Sequence, residues 1–557
     1  MGANGTERTG GELIVDALSA NGATLAFGVP GESFLAVLDG FYGSNEMEFV
    51  ISRQEGGAAM MADAYGKLTG RPGICFVTRG PGATNASAGV HIAYQDSSPM
   101  ILFIGQVGRP MLDREAFQEI DYRRMFGQMS KWTAEISDAA RIPEYVNRAF
   151  HVASSGRPGP VVLALPEDML RDRVVETEIV PASNVSITPG GDALGRLRQL
   201  LAAAERPLVM LGGRGWDQAA CEAFRSFAET NYLPVTCAFH YQDLFDNDHP
   251  LYAGDVGIGV NPKLAERIGK ADLVLALGPR LGEITTNGYT LFEPPWPRQK
   301  LVHVHAGVEE LGRVYEPELA INASMKAFAK TLSDIEPVHA TWHAWTDDAR
   351  ADFEAWSKPT SSAGDVQLSQ IVAWLRENTP DDTIICNGAG NYTSWVHRFY
   401  RYRRQATQLA PTSGSMGYGT PAAVAAKLVH PDRTVISFAG DGCFMMNGQE
   451  IATAAQYGAN IIVIVANNRM LGTIRMHQER AYPGRVVATD LINPDFAALA
   501  QAYGAHGEKV TRTEDFAGAF ERALNAGRPA LIELEIDPDA LTPGAGLSAI
   551  REAAQNA

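Results

Sequence analysis

Two polar clusters late in the chain carry the residue types that hold a hard divalent cation. Asp441 sits in a Gly-Asp-Gly turn (440–442) after the apolar run TVISFA, and Asn468 sits in an Asn-Asn pair after the apolar run IIVIVA. One strand–helix–strand crossover separates them, so two parallel strands deliver a carboxylate and an amide oxygen to the same sheet edge. Such oxygens suit magnesium or calcium, with a backbone carbonyl, phosphate oxygens and water completing the shell. Gly440 and Gly442 let a phosphate approach the backbone, and a helix N-terminus behind them favours its charge. That helix is expected to open at Asn447, with Glu450 as its capping-box partner three residues on. A further acid, Glu55, stands in the sequence SRQEGGAAMMADAYGK, where a strand ends and a small-residue helix begins. A Glu in a first helical turn is favoured by the helix dipole whatever else it does.

The elements that must position these groups follow an α/β grammar of strand, glycine turn and helix, with ligands expected at strand C-termini. An amphipathic helix is predicted over Gly11–Ser19. Strands are predicted at Leu25–Gly28, Phe49–Ser52, Ile74–Thr78, Met100–Gly105 and Val161–Pro166. A Pro/Ser/Asn-rich stretch over 181–192 reads as a linker. A second α/β segment has predicted strands at Leu208–Leu211, Pro234–Cys237, Leu273–Leu277 and Leu301–His305, and fades near 335. The stretch 336–365 has little apolar periodicity and reads as a second connector. The third segment has predicted strands at Thr383–Cys386, Thr434–Ala439, Ile461–Ala466 and Ala530–Glu535, with a short closing helix or a frayed tail after 545. The fold class expected is three doubly wound parallel-sheet domains, over 1–180, 190–335 and 360–545.

Composition narrows the partners. The 557 residues are 45% hydrophobic and 20% charged, which suits several globular cores rather than one. A formal net charge of −17 argues against nucleic acid or an anionic membrane as the main partner. Five cysteines without a CxxC pair fit a reducing, cytoplasmic setting better than a disulfide framework or zinc site. No apolar run is long enough for a membrane span, and the N-terminus lacks the apolar region of a signal peptide.

The GDG and NN pair resembles the metal and diphosphate motif of thiamine diphosphate enzymes, and the chain is most similar to their acetolactate synthase-like branch of large catalytic subunits. The resemblance runs over essentially the whole chain. It implies pyrimidine-binding, central and diphosphate-binding domains, with Mg2+ held by Asp441, Asn468 and the carbonyl of Met470. It places Gly440, Gly442 and Cys443 on one side of the diphosphate, and Gly388, Gly390 and Asn391 of NGAGNYTSW on the other. RQEGGAA matches the activating-glutamate motif, so Glu55 would lie beside N1′ of the aminopyrimidine and promote removal of the C2 proton. SGSMGYGTP supplies Met416 as the wedge under the bent cofactor and the Gly414 carbonyl for its 4′-amino group. Gly82 and Ala83 of RGPGATN would lie near C2, and Phe117 and Gln118 of AFQE would project toward the reacting atoms. The family builds its site across a dimer, so a homodimer is the implied minimum and a homotetramer is common.

The same comparison marks departures. His477 stands where the synthases carry an acceptor-binding Trp, and Ile284 where they carry an acceptor-binding Arg. Arg475 or His477 is left as either an acceptor group or a solvent-facing loop residue. His91 has no neighbouring histidine and reads as a packed or hydrogen-bonded residue. The GGRG turn at 212–215 leaves FAD, ADP or no ligand open for the central domain. The activity expected is decarboxylation and carboligation of 2-oxo acids. The alternatives are a 2-oxo acid decarboxylase, 2-hydroxyacyl lyase or diketone hydrolase, and then a non-catalytic ligand-binding relative.

Overall fold

A computed structural model describes residues 7–44, 46–175, 178–183 and 185–556. Three six-stranded sheets succeed one another along the chain, and every pairing within them is parallel. The N-terminal sheet runs, edge to edge, Glu48–Ile51, Leu25–Gly28, Gly73–Val77, Met100–Gln106, Pro160–Pro166 and Trp132–Glu135. The C-terminal sheet runs Gln408–Leu409, Ile384–Asn387, Val435–Gly440, Ile462–Asn467, Ala530–Glu535 and His506–Val510. Numbered within each sheet, both have the order 2-1-3-4-6-5. The central sheet instead runs Tyr252–Asp255, Val235–Cys237, Pro207–Leu211, Leu273–Leu277, Lys300–His305 and Leu319–Asn322, the order 3-2-1-4-5-6. In each sheet the order reverses beside the first strand, which opens a crevice at the strand C-termini.

Both faces of these sheets are covered, so the strands read as unbroken apolar runs rather than alternating ones. In the central sheet Val209, Leu211, Leu275 and Leu277 enter one core, while Leu208, Met210, Val274 and Ala276 enter the other. In the N-terminal sheet Phe76 stacks on Phe103 with ring centroids 4.8 Å apart. The chain divides into two compact units. The first takes the N-terminal sheet and two later segments, Thr420–Pro431 and Asn447–Ala459, and the second takes the central and C-terminal sheets.

Several predicted elements hold to within a residue or two. The first helix spans Gly10–Ala20, begun by a Thr9–Glu12 capping box. The tail forms a helix, Leu547–Gln555. Other expectations are corrected. The stretch 336–365 contains the helix His343–Trp356, which buries Thr346, Ala349 and Phe353. Its apolar face is too sparse to stand out in a sequence. Asn447 does not open a helix. It ends the helix Asp441–Asn447, and the next helix, Glu450–Gln456, has Gln449 as its cap without a side-chain hydrogen bond. Strands missing from the sequence reading are short or lie at sheet edges: Trp132–Glu135, Tyr252–Asp255, Leu319–Asn322, Gln408–Leu409 and His506–Val510. Glu7–Thr9 and Arg173–Val175 form a separate antiparallel pair. No helix among the described residues is long and apolar enough to cross a membrane, and all five cysteines are free thiols.

Candidate active site

In the first unit, Glu55 is the first residue of the helix Glu55–Thr69, whose cap Gln54 accepts from Gly57 N–H at 3.0 Å. Asn85, on the helix Gly80–Asp96, donates to Glu55 Oε2 at 2.9 Å. Glu450 takes over the turn before Glu55. Its Oε1 accepts from the N–H groups of Arg53 and Gln54, each at 3.1 Å, and its Oε2 accepts from the Thr453 hydroxyl at 2.6 Å. Glu450 is fully buried, and burial pushes its carboxyl upward against the pull of these donors. Gly57 leaves room for it, because a Cβ there would meet Glu450 Oε1 at 2.7 Å. Tyr457 adds a second tie, accepting from Ile51 N–H at 2.8 Å.

The same unit carries Gly82 and Ala83 in the first turn of the helix Gly80–Asp96, with Ala83 buried. The AFQE loop is tightly wound. Asp113, Glu115 and Gln118 all have left-handed backbone, at φ of 61°, 53° and 65°. Such conformations cost energy in residues other than glycine and persist where the surroundings fix them. Here Glu119 fixes them, accepting from Asp113 N–H at 2.7 Å and Ala116 N–H at 2.9 Å. These backbone donors, Ala116 first, hold the Glu119 carboxyl below its usual range. The Gln118 carbonyl accepts from Gly80 N–H at 2.9 Å, tying the loop to the helix that carries Gly82, and Phe117 is 72% exposed. His91 lies exposed on that helix rather than packed, because the helix buries its other face.

In the second unit, one cavity of about 250 Å3 opens at the reversal point of the C-terminal sheet. Gly390, Asn391, Gly414, Met416, Gly440, Asp441, Gly442, Cys443, Asn468 and Met470 all line it. Gly388 stands behind this wall, its N–H donating to Tyr392 Oη at 3.0 Å. Tyr392 Oη in turn lies 3.2 Å from Cys443 Sγ, which also accepts from Gly417 N–H at 3.2 Å. Asp441 follows the strand Val435–Gly440 and is 3% exposed. Asn493 donates to its Oδ2 at 2.8 Å and to Asn467 Oδ1 at 3.0 Å, while Asn467 donates to Glu533 at 2.8 Å. Asn467, Asn493 and Glu533 thus brace the acid from behind. Burial pushes the Asp441 carboxyl upward, and a divalent cation beside it favours the charged form again.

The loop after Asn468 is pinned by main-chain bonds. Leu471 N–H donates to Thr489 and Leu491 N–H to Arg469, with Met470 paired to Asp490. Gly442 leaves the cavity floor free, since a Cβ there would meet Leu471 at 2.6 Å. A carboxylate, an amide oxygen and a carbonyl beside a glycine cradle fit a magnesium-bound diphosphate. Arg475 is corrected from the sequence reading. It is largely buried and ion-paired with Glu479 at 3.1 Å and Asp490 at 3.2 Å, while His477 is exposed. Glu479 is itself bracketed by Arg551 of the C-terminal helix at 2.6 Å, and Leu547 and Ile550 pack on Met470 and Met476. Asn85, Tyr392 and Asn493 were missed from sequence and Glu450 was read only as a capping partner, because their contacts with Glu55, Cys443, Asp441 and the Arg53–Gln54 turn span separations that no local motif records.

Comparison with known proteins identifies the family. The thiamine pyrophosphate enzyme N-terminal TPP binding domain matches residues 8–125, the central domain 194–332 and the C-terminal TPP binding domain 388–534. The chain is 30% identical to the acetolactate synthase isozyme 2 large subunit of Escherichia coli K12, over 95% of each protein. It is 32% identical to an acetolactate synthase large subunit of Corynebacterium glutamicum, over 96% of this chain and 87% of that one. A large subunit from Lactococcus lactis subsp. lactis is 30% identical over 95% and 92%. Its three parallel sheets, its glycine-lined carboxylate cavity and these relatives together make the chain a member of the thiamine pyrophosphate enzyme family, on the branch of the acetolactate synthase large subunits, and so an enzyme dependent on thiamine diphosphate and Mg2+.

Proposed function

We propose that the protein decarboxylates a pyruvate-like 2-oxo acid and transfers the remaining fragment to a second carbonyl compound, as a carboligase of the transferase class. The observation that carries this reading is the single cavity that gathers Asp441, Asn468 and Met470 with the glycine cradle. When bound, thiamine diphosphate supplies a nucleophilic carbon and the electron sink that loss of carbon dioxide requires.

The chain's own residues do the rest. Asp441, Asn468 and the Met470 carbonyl hold Mg2+. Main-chain groups of Gly390, Gly440, Gly442 and Cys443, with the Asn391 side chain, hold the diphosphate, and Gly388 supports them through Tyr392. Met416 and Gly414 line the same cavity, where Met416 would support the cofactor and the Gly414 carbonyl would accept a hydrogen bond from its 4′-amino group. Glu55 holds and moves the proton at N1′, oriented by Asn85 and by the Glu450 clamp on its turn. Gly82 and Ala83 would border the reacting carbon, Phe117 would shield it from water and Gln118 would donate to developing negative charge. Glu55 serves the cofactor of a second copy, so a homodimer is the minimal unit and a homotetramer its common form. Domains over 1–180, 190–335 and 360–545 and a cytoplasmic setting complete the reading.

His477 and Ile284, at the positions expected for acceptor-binding Trp and Arg, favour one second reading: another thiamine diphosphate reaction, such as simple decarboxylation, 2-hydroxyacyl cleavage or diketone hydrolysis. Product analysis separates the two. Holoenzyme given pyruvate, alone and with aldehyde acceptors, is expected to release carbon dioxide and form 2-hydroxy ketones. Glu55→Gln should lose about a hundredfold or more of that rate. Acetaldehyde as the only product would replace the carboligase reading with the decarboxylase one. An undiminished rate in Glu55→Gln would remove Glu55 from the mechanism.

A further inference from the structure

The loop that carries Phe117 and Gln118 hangs on the N-terminal sheet by two carbonyl groups. The Gln118 carbonyl accepts from Gly80 N–H at 2.9 Å, and the Ile120 carbonyl accepts from Gln106 Nε2 at 3.0 Å. Both donors sit at strand ends. Gly80 follows the strand Gly73–Val77 and opens the helix Gly80–Asp96, while Gln106 ends the strand Met100–Gln106 and is buried. The approach at Gly80 is close, because a Cβ there would meet the Gln118 carbonyl oxygen at 3.0 Å and Ile120 Cδ1 at 3.2 Å. Any shift of either donor therefore moves the loop with it.

One ion pair joins the two donors. Arg79, the residue before Gly80, is 7% exposed and donates from Nη2 to Glu167 Oε2 at 2.6 Å. Glu167 follows the strand Pro160–Pro166, and its N–H donates to the Gln106 carbonyl at 3.1 Å. The contacts form a closed ring, from Gly80 to Gln118, from Ile120 to Gln106, from Gln106 to Glu167 and from Glu167 back to Arg79. A charge-assisted bond with its cation buried is a strong link in such a ring. The second partner of Arg79 is Glu32, 3.6 Å from Nη1, whose side chain is 70% exposed, and so open a pair adds little.

We propose that Arg79, acting through Glu167, is a positioning residue for the Gln118 loop. It fixes where the loop stands against the substrate and leaves activation of the cofactor by Glu55 to other contacts. Those contacts, the Asn85 side chain and the Glu450 clamp, lie outside the ring. The assignment rests on the reading in which Gln118 faces the reacting atoms.

The test uses the full chain loaded with thiamine diphosphate and Mg2+. In Arg79→Met, amide hydrogen exchange over residues 113–120 should quicken by about tenfold or more, because the ring no longer holds the loop shut. Turnover of pyruvate should fall by about tenfold or more in kcat, while deuterium exchange at C2 of the cofactor slows by less than about threefold. Arg79→Lys keeps a charged donor for Glu167 and should recover part of the loss in loop protection and in kcat. Arg79→Met combined with Gln118→Ala should have no lower kcat than Gln118→Ala alone, since both changes remove one contribution. Glu167→Gln keeps the size and one oxygen, so it should shift loop exchange and kcat in the same direction by a smaller factor, and it replaces Arg79→Met if that variant does not fold. Wild-type loop exchange in the folded variant overturns the assignment. So does C2 exchange that falls in step with kcat, or a double variant in which the two losses multiply. If wild type leaves pyruvate unchanged, or Gln118→Ala matches wild type, the functional reading fails instead, and loop exchange by itself decides the role of Arg79.

Discussion

Glu450 offers the sharpest test of how this chain positions Glu55. Replacing it with Ala removes the acceptor for two part-buried main-chain donors, Arg53 N–H and Gln54 N–H, each now 3.1 Å from Oε1. It also removes the acceptor of the Thr453 hydroxyl. A donor left unsatisfied in a fully buried position costs about 1–3 kcal/mol, and partial solvent access lowers that cost, so the turn before Glu55 should lose roughly 2–3 kcal/mol of local stability. If about 2 kcal/mol of this falls on the geometry that lets Glu55 work, the rate of its step drops about thirtyfold. Gln at this position keeps one oxygen and loses the charge, so a smaller drop of about fivefold is expected. The assay is the rate of deuterium exchange at C2 of the bound cofactor in Mg2+-loaded enzyme, measured beside cofactor affinity. Exchange should slow in the order wild type, Gln, Ala, with affinity moving far less, because the diphosphate and metal groups lie on other segments. A folded Glu450→Ala enzyme with wild-type exchange would show that the clamp holds the fold alone and does not position Glu55.

Asn493→Ala removes the donor to Asp441 Oδ2, so Mg2+ affinity should fall by about tenfold to a hundredfold in a metal titration of cofactor reconstitution, and an unchanged affinity would discard the bracing role. Glu479, held by Arg551 above all, has its pKa lowered to about 2. A depressed carboxyl contributes stability above its ordinary pKa and loses it as pH falls toward the folded value, so hydrogen exchange in the helix Leu547–Gln555 should quicken between about pH 4.5 and 2, and Arg551→Ala should produce that state at neutral pH. His303 is buried against the Pro279 carbonyl at 3.0 Å, and burial lowers its pKa to about 4. The unfolded chain therefore binds its proton first, and stability in chemical denaturation should fall as pH drops from about 6.5 toward 4, less so in His303→Gln.

The sequence by itself determined the three parallel sheets and the groups delivered at strand ends. Strands buried on both faces, such as Ile462–Asn467 and Leu273–Leu277, must be continuous apolar runs, and such runs are legible without neighbours. Asp441, Asn468 and Glu55 were legible because each directly follows a strand or opens a helix, where backbone grammar is local. What the sequence could not carry is any role set by a distant partner. Glu450 looked like a capping-box residue three positions from Asn447, yet its carboxylate is taken by Arg53 and Gln54, nearly four hundred residues earlier. Asn493, Tyr392 and Asn85 are ordinary polar residues until folding sets them beside Asp441, Cys443 and Glu55. Hydrogen bonds and ion pairs act over a few ångströms in space, whatever the separation along the chain, so tertiary structure alone decided these assignments.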